Sequence, residues 1–169
     1  MARIAYPTRE SLEAETALAL DGMKPMNIFK MMARADSLAP PLFEATTRLF
    51  QKGKLHLSAR YRQIAILSVV SNGVFPYLIA HHKPISLKVG LNEDEIDGIL
   101  NFKLTLTGND LSVYKFAKES TLLADVSDDV FNALPHFLGE REIVELATVS
   151  GMYNFFGRFL KSLRVDIET

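Results

Sequence analysis

The sequence predicts an all-α domain of about seven to nine helices. Apolar residues recur at helical spacing through most of its length, and Gly, Pro, Asn and Asp interrupt that pattern at intervals. The run from Ile64 to Val70 is rich enough in β-branched residues to form a strand. No second strand-like run exists to pair with it, so it too is read as helix.

The first helix is expected over residues 8–20, starting at Thr8 and supported by Glu10 and Glu13 near the positive end of the helix dipole. Asp21-Gly22 stops it. A short helix over 27–35 follows, with Asn27 as its N-cap and Ile28, Phe29, Met31 and Met32 as its apolar residues. Pro40-Pro41 interrupts the chain, and the next helix, over about 41–51, turns Leu42, Phe43, Ala45, Leu49 and Phe50 inward.

Ser58 is the N-cap expected for a helix over 59–71 with a wide apolar face. Pro76 suits the first turn of a helix over 76–89, whereas Pro84 lies inside it and predicts a kink or a break. Gly90 stops that helix, and Asn92 with Glu95 forms a cap for the one after it. Helices over 110–124 and from Ser127 to near Leu138 come next. The last and longest, over 140–163, carries apolar residues around most of its circumference, which predicts burial on more than one side, either centrally or against a second subunit. Gly151 and Gly157 inside it suggest close approach of another helix, from this chain or a neighbouring subunit.

A chain of 169 residues with 48% hydrophobic and 23% charged side chains is sized for one domain. We expect a single domain over residues 1–169, with 1–39 as an N-terminal helical extension. The 19 basic and 20 acidic residues give a net charge of −1, which argues against nucleic-acid or membrane binding through general electrostatics. No apolar run approaches the length of a membrane span, and the charged N-terminal segment does not read as a signal peptide, so a cytoplasmic location is expected. The absence of cysteine excludes disulfides, thiolate nucleophiles and cysteine-type metal sites.

The chemical signal is His81-His82 in an otherwise apolar stretch. Adjacent residues on a helix point in different directions, so the two imidazoles serve different surroundings. Adjacent spacing also fails the i, i+4 geometry of paired metal ligands on one helix, so no metal is expected. Phe75, Leu78, His82 and Val89 fall near one apolar stripe, which makes His82 the candidate for a pocket and His81 for its rim. An imidazole among apolar groups is kept neutral and able to accept a proton. A core histidine bonded to a backbone carbonyl is the competing reading. Arg60, Arg62, Lys83 and Lys88 are candidates for binding a carboxylate or a subunit, although a solvated helix face is the commoner explanation of such residues.

The segment Tyr77-Leu78-Ile79-Ala80-His81-His82, then Pro84 and Lys88-Val89-Gly90-Leu91-Asn92-Glu93-Asp94-Glu95-Ile96, resembles the carboxymuconolactone decarboxylase family, also called AhpD-like. The resemblance extends to the stretch from Leu57 to Gln63 and to parts of the last helix around Glu142 to Leu146 and Tyr153-Asn154. It implies an AhpD-like helical fold, homo-oligomers of trimeric or hexameric form, and either thiol peroxidase or lactone decarboxylase chemistry. Family peroxidases use Cys-x-x-Cys-x-x-x-His and an upstream Glu. Those thiols fall here on Phe75 and Leu78, the Glu falls on Gln63, and Tyr77 and His82 match. Without thiols that peroxidase mechanism is impossible.

The resemblance therefore implies a cofactor-independent enzyme that acts on a small carboxylated or carbonyl-containing organic acid by proton transfer. His82 is the expected acid or base, with Tyr77 and Gln63 as donors to a substrate oxygen. His81, Phe75, Leu78, Asn72, Tyr153 and Arg158 are the expected substrate contacts. The rival expectation is a non-catalytic oligomer that retains the fold and binds a small ligand.

Overall fold

A computed structural model describes residues 1–168. Its helices are α1 (Ala14–Asp21), α2 (Asn27–Met32), α3 (Ala39–Phe50), α4 (Ala59–Asn72), α5 (Pro76–Lys88), α6 (Glu93–Leu100), α7 (Gly108–Leu122), α8 (Asp128–Asn132) and α9 (Glu140–Leu163). Short 3-10 turns occur at Arg9–Ser11, Ala33–Leu38 and Leu134–His136. No strand is found among the described residues. No helix among them is long and apolar enough to cross a membrane.

The chain divides into two compact units, one made of Met1–Lys54 with the chain from Leu160 onward, the other of Leu55–Phe159. In the first unit α1, α2 and α3 pack around Met31, Met32, Ala33, Ala39 and Phe43, and the Phe29 and Phe43 rings meet edge to face with centroids 5.7 Å apart. Asp166 anchors the N-terminus there, accepting from the Ala2 amide at 3.0 Å.

Local chemistry moved several boundaries in this unit. Thr8 makes no side-chain cap, and the Glu13 amide instead donates to Asp36 Oδ1 at 3.1 Å, so α1 starts only at Ala14. Asn27 does not cap α2, because its Nδ2 donates to the Asp166 carbonyl and Met26 takes the cap position. Pro40, expected before α3, and Pro41, expected at its start, both lie inside its first turn, where their missing amides cost nothing. Phe50, expected inward, is exposed at the end of that helix.

The second unit is built around α4. Every residue from Gln63 to Ser71 is buried, more than the one-sided apolar face expected, because α5, α6 and α7 all pack on this helix. Ser58 does cap it, accepting from the Tyr61 amide at 3.1 Å. The buried Ser68 hydroxyl donates to the Tyr114 carbonyl at 2.9 Å and ties α4 to α7. α5 is one helix through Pro84 rather than two pieces. Pro84 and Ala80, the residue whose carbonyl loses its donor, both lie on the exposed side of the helix. Asn92 and Glu95 form a reciprocal capping box at the start of α6, as their spacing predicts.

Arg60 is not a solvated residue. Its guanidinium bonds Asp110 at 2.6 Å and the Gly90 carbonyl at 2.6 Å, and it pairs with Glu95, joining α4, α6, α7 and the turn after α5. These bonds, the Asp110 one first, hold its proton more tightly than in a free arginine. Replacement of Arg60 by Ala is expected to cost about 2–3 kcal/mol in urea unfolding, because two partly buried carboxylates lose their partner. Arg60→Lys should recover less than half of that, since an ammonium cannot span three acceptors as the planar fork does.

Candidate functional site: a buried Gln63–His82–Tyr153 chain

Three helices of the second unit each contribute one polar side chain to its apolar interior. Gln63 comes from α4, His82 from α5 and Tyr153 from α9, and they are 0%, 6% and 3% exposed. His82 Nδ1 lies 3.1 Å from Gln63 Oε1, and His82 Nε2 lies 2.9 Å from the Tyr153 hydroxyl. The imidazole and phenol rings meet edge to face at 4.9 Å, and Phe156 packs edge to face on Tyr153 at 5.5 Å. Ser86, one turn after His82 on α5, places its hydroxyl 2.9 Å from the His82 carbonyl and 3.3 Å from Gln63 Oε1.

Proton positions follow from these partners. With Gln63 Oε1 facing the ring, Nδ1–H donates to it and Nε2 is left to accept the Tyr153 O–H. Reversing the amide moves the ring proton to Nε2, which then donates to the Tyr153 oxygen. The two arrangements differ by that amide rotation, by the ring tautomer and by the direction of the Tyr153 hydroxyl. In the first, Gln63 Nε2 is a fully buried donor with no hydrogen-bond partner among the described residues.

Burial sets the proton affinities. It pushes the His82 imidazole down from its ordinary 6.5 to about 3, and the neighbouring His81 and Arg62 act in the same direction. It pushes the Tyr153 phenol up, opposed by Arg62. Arg62 is itself half-buried, and desolvation weakens its hold on its own proton. At neutral pH the pair is therefore an uncharged imidazole beside an uncharged phenol, with a guanidinium close enough for both to feel.

The other expected site residues are distributed as follows. The buried Tyr77 ring packs on His81 with centroids 4.6 Å apart, and His81 is half-buried, so the two histidines do face different surroundings. Leu78 is buried on the His82 side of α5. Asn72 turns back to donate to the Ser68 carbonyl at 2.8 Å at the end of α4. Arg158 is exposed and donates to Asn154 Oδ1 at 2.6 Å. Ser86 escaped the sequence reading, although a serine four residues after His82 on a buried stripe was a usable signal. Tyr153, read from sequence as a substrate contact, is a direct partner of the histidine.

Phe75 sits in a slot between two glycines. A Cβ added at Gly73 would lie 2.2 Å from the Phe75 ring, and one at Gly157 would lie 2.1 Å from it. Gly157 thus admits a side chain of this same chain, whereas a Cβ at Gly151 would meet nothing. The slot strains the turn before α5. The amides of Val74 and Phe75 close α4 in the manner of a left-handed helix stop, onto Ser71 and Val70, but Val74 holds the positive φ (+55°) that a glycine usually takes. The glycine stands one residue earlier, where the ring needs it.

No family model matches the sequence, and no curated protein matches it. Among solved structures, the chain is similar to an uncharacterized peroxidase-related protein with an alkylhydroperoxidase AhpD core from Ralstonia eutropha JMP134, at TM-score 0.80 and 14% identity over 99% of this chain and 92% of that one. An uncharacterized peroxidase-related protein from a Silicibacter species matches at TM-score 0.80, 19% identity and the same 99% and 92% coverage. The debrominase Bmp8 in its apo form matches at TM-score 0.67 and 18% identity, over 96% of this chain and 87% of that one. The protein has the AhpD-like all-α fold, here without a single cysteine.

Two outcomes are expected. Gly157→Ala should destabilise the chain by about 2 kcal/mol or more, and Phe75→Leu should be less harmful in that background than in the wild type, a coupling that a double-mutant cycle of urea midpoints measures. The second concerns acid. His82 binds a proton far less readily folded than unfolded, so its contribution to stability is complete above about pH 6.5 and is lost as the pH falls toward about 3, by up to about 1.4 kcal/mol per pH unit. His82→Gln should flatten the slope of unfolding free energy against pH between about pH 4 and 6, whatever its effect on stability at pH 7.

Proposed function

We propose that this protein is a thiol-independent, cofactor-independent enzyme of the AhpD-like fold that moves a proton on a small carboxylated or carbonyl-containing organic acid. What supports this most is the unpartnered buried Nε2 of Gln63. An unsatisfied interior donor costs about 1–3 kcal/mol, and a substrate oxygen is the kind of group that would repay it.

In the proposed step, the C–H bond next to a substrate carbonyl breaks. Its proton passes to the Tyr153 oxygen while the phenol proton passes to His82 Nε2. The electron pair of the broken bond moves onto the carbonyl oxygen, and Gln63 Nε2–H donates to the resulting enolate. Gln63 Oε1 holds Nδ1–H of the imidazolium so formed, and Arg62 supplies positive charge for the substrate carboxylate. Return of the proton to another carbon would be isomerisation. In decarboxylation the C–COO⁻ bond would break in place of the C–H bond, carbon dioxide would leave, the bonding electron pair would move onto the same carbonyl oxygen, and the carbon would then take a proton from water. A basicity as low as that of free His82 suits this step only when an anionic substrate is bound, because a negative charge nearby raises it.

A second reading has its own support. Both ring nitrogens of His82 are engaged and the three side chains are almost completely buried, which suits a non-catalytic protein that keeps the fold and binds a small ligand.

Exchange of substrate C–H for deuterium in heavy water, followed by NMR over a panel of muconolactones and keto acids, separates the readings. The enzyme reading expects exchange or turnover that falls about 100-fold or more in His82→Ala and Tyr153→Phe. Exchange at the wild-type rate in both variants would reject the assigned roles, and ligand binding with no exchange across the panel would favour the second reading.

A further inference from the structure

Ser86 belongs to the buried network, yet the proposed step gives it no part. It is fully buried one turn after His82 on α5, with Oγ 2.9 Å from the His82 carbonyl and 3.3 Å from Gln63 Oε1. That carbonyl already accepts the amide of residue 86 in the helix ladder, so it does not need the hydroxyl as well. A buried hydroxyl costs more to desolvate than a methyl group that could fill the same space. What the hydroxyl adds is its contact with Gln63.

The imidazole alone does not choose between the two orientations of that amide. The oxygen accepts from Nδ1–H, the nitrogen donates to a bare Nδ1, and exchanging the two leaves every heavy atom in place. Each choice also leaves a buried group wanting. With the oxygen toward the ring, Gln63 Nε2 has no hydrogen-bond partner among the described residues. With the nitrogen toward the ring, the amide oxygen takes that position and the Tyr153 proton loses His82 Nε2 as its acceptor.

Ser86 breaks the tie. While its one proton stays on the His82 carbonyl, the nearer acceptor, Gln63 meets the lone pairs of Oγ. An amide nitrogen in that place donates one N–H to Oγ and the other to Nδ1. An amide oxygen faces those lone pairs with its own, or gains the hydroxyl proton only at the expense of the shorter bond. The serine therefore adds one hydrogen bond to the nitrogen-inward orientation and none to the other.

We propose that Ser86 is a positioning residue that holds the Gln63 amide nitrogen toward His82 in the ligand-free protein and so keeps the imidazole proton on Nε2, facing the Tyr153 oxygen. The consequence for catalysis rests on the enzyme reading above. In this resting state Nε2 cannot accept the phenol proton, so the step begins only once a substrate oxygen has drawn Gln63 Nε2–H to itself and turned the amide. The ring stays neutral in that change. The N–H bond at Nε2 breaks, one forms at Nδ1 and donates to Gln63 Oε1, and water takes up the first proton and supplies the second. The protein thus carries no free base until a substrate is in place.

Nitrogen-15 NMR of the full, ligand-free chain near neutral pH tests this, because protonated and bare ring nitrogens give well-separated signals. His82→Gln identifies which of the four histidines is which. The wild type is expected to hold the proton on Nε2, and Ser86→Ala to shift the ratio toward Nδ1–H by about tenfold, the equivalent of one net hydrogen bond. Ser86→Thr, which keeps the hydroxyl, should stay close to the wild type. A ligand-free wild type with its proton on Nδ1, or a ratio unchanged in Ser86→Ala, would overturn the assignment. For a keto acid or muconolactone that the protein exchanges, Ser86→Ala should lower KM about fivefold, since binding no longer has to turn the amide. An unchanged or higher KM would overturn the gating role. Absence of exchange across the panel would reject the enzyme reading and the gate with it, while the tautomer ratio would still decide whether Ser86 orients Gln63.

Discussion

The interior of the second unit is constrained by the need to keep an amide, an imidazole and a phenol dry at the same time. Each would cost the fold several kcal/mol if buried alone, and each is tolerable because the next one bonds it. The chain from Gln63 through His82 to Tyr153 therefore works only as a set, and it joins α4, α5 and α9, which are far apart in sequence. Ser86 closes the remaining gap on α5 by bonding the His82 carbonyl and approaching the same amide oxygen. Such a network fixes how those helices sit, because a slip of one residue in any of them would leave a buried polar group without its partner.

The same interior is fitted around Phe75, which, like Leu78, stands where the resemblance to AhpD-like peroxidases would put a cysteine. Glycines at 73 and 157 make room for its ring, and Val74 accepts a left-handed backbone next to it. Close by, burial has moved the proton affinities of two neutral groups apart, the imidazole down and the phenol up.

Elements governed by neighbours in sequence were legible. Ser58 and the Asn92/Glu95 pair could be read as caps because the atoms that satisfy them lie within one turn. The all-α class and the span of α9 followed from apolar spacing in the same way. Asn27 and Thr8 were misread because their competitors are remote: Asp166 claims the Asn27 side chain, and Asp36 claims the amide that fixes the start of α1. Arg60 looked like surface charge because its acceptors come from three separate segments.

The sequence by itself determined that this is a helical protein without cysteine and that His81 and His82 must face apart. Those properties depend on residue type and on the period of the helix, which need no distant partner. Only the tertiary structure decided that Tyr153 is the hydroxyl facing His82, that Gly157 makes way for Phe75, and that Ser86 reaches Gln63. Each of those is a meeting of side chains dozens of residues apart, and no local pattern encodes which of many compatible surfaces will touch.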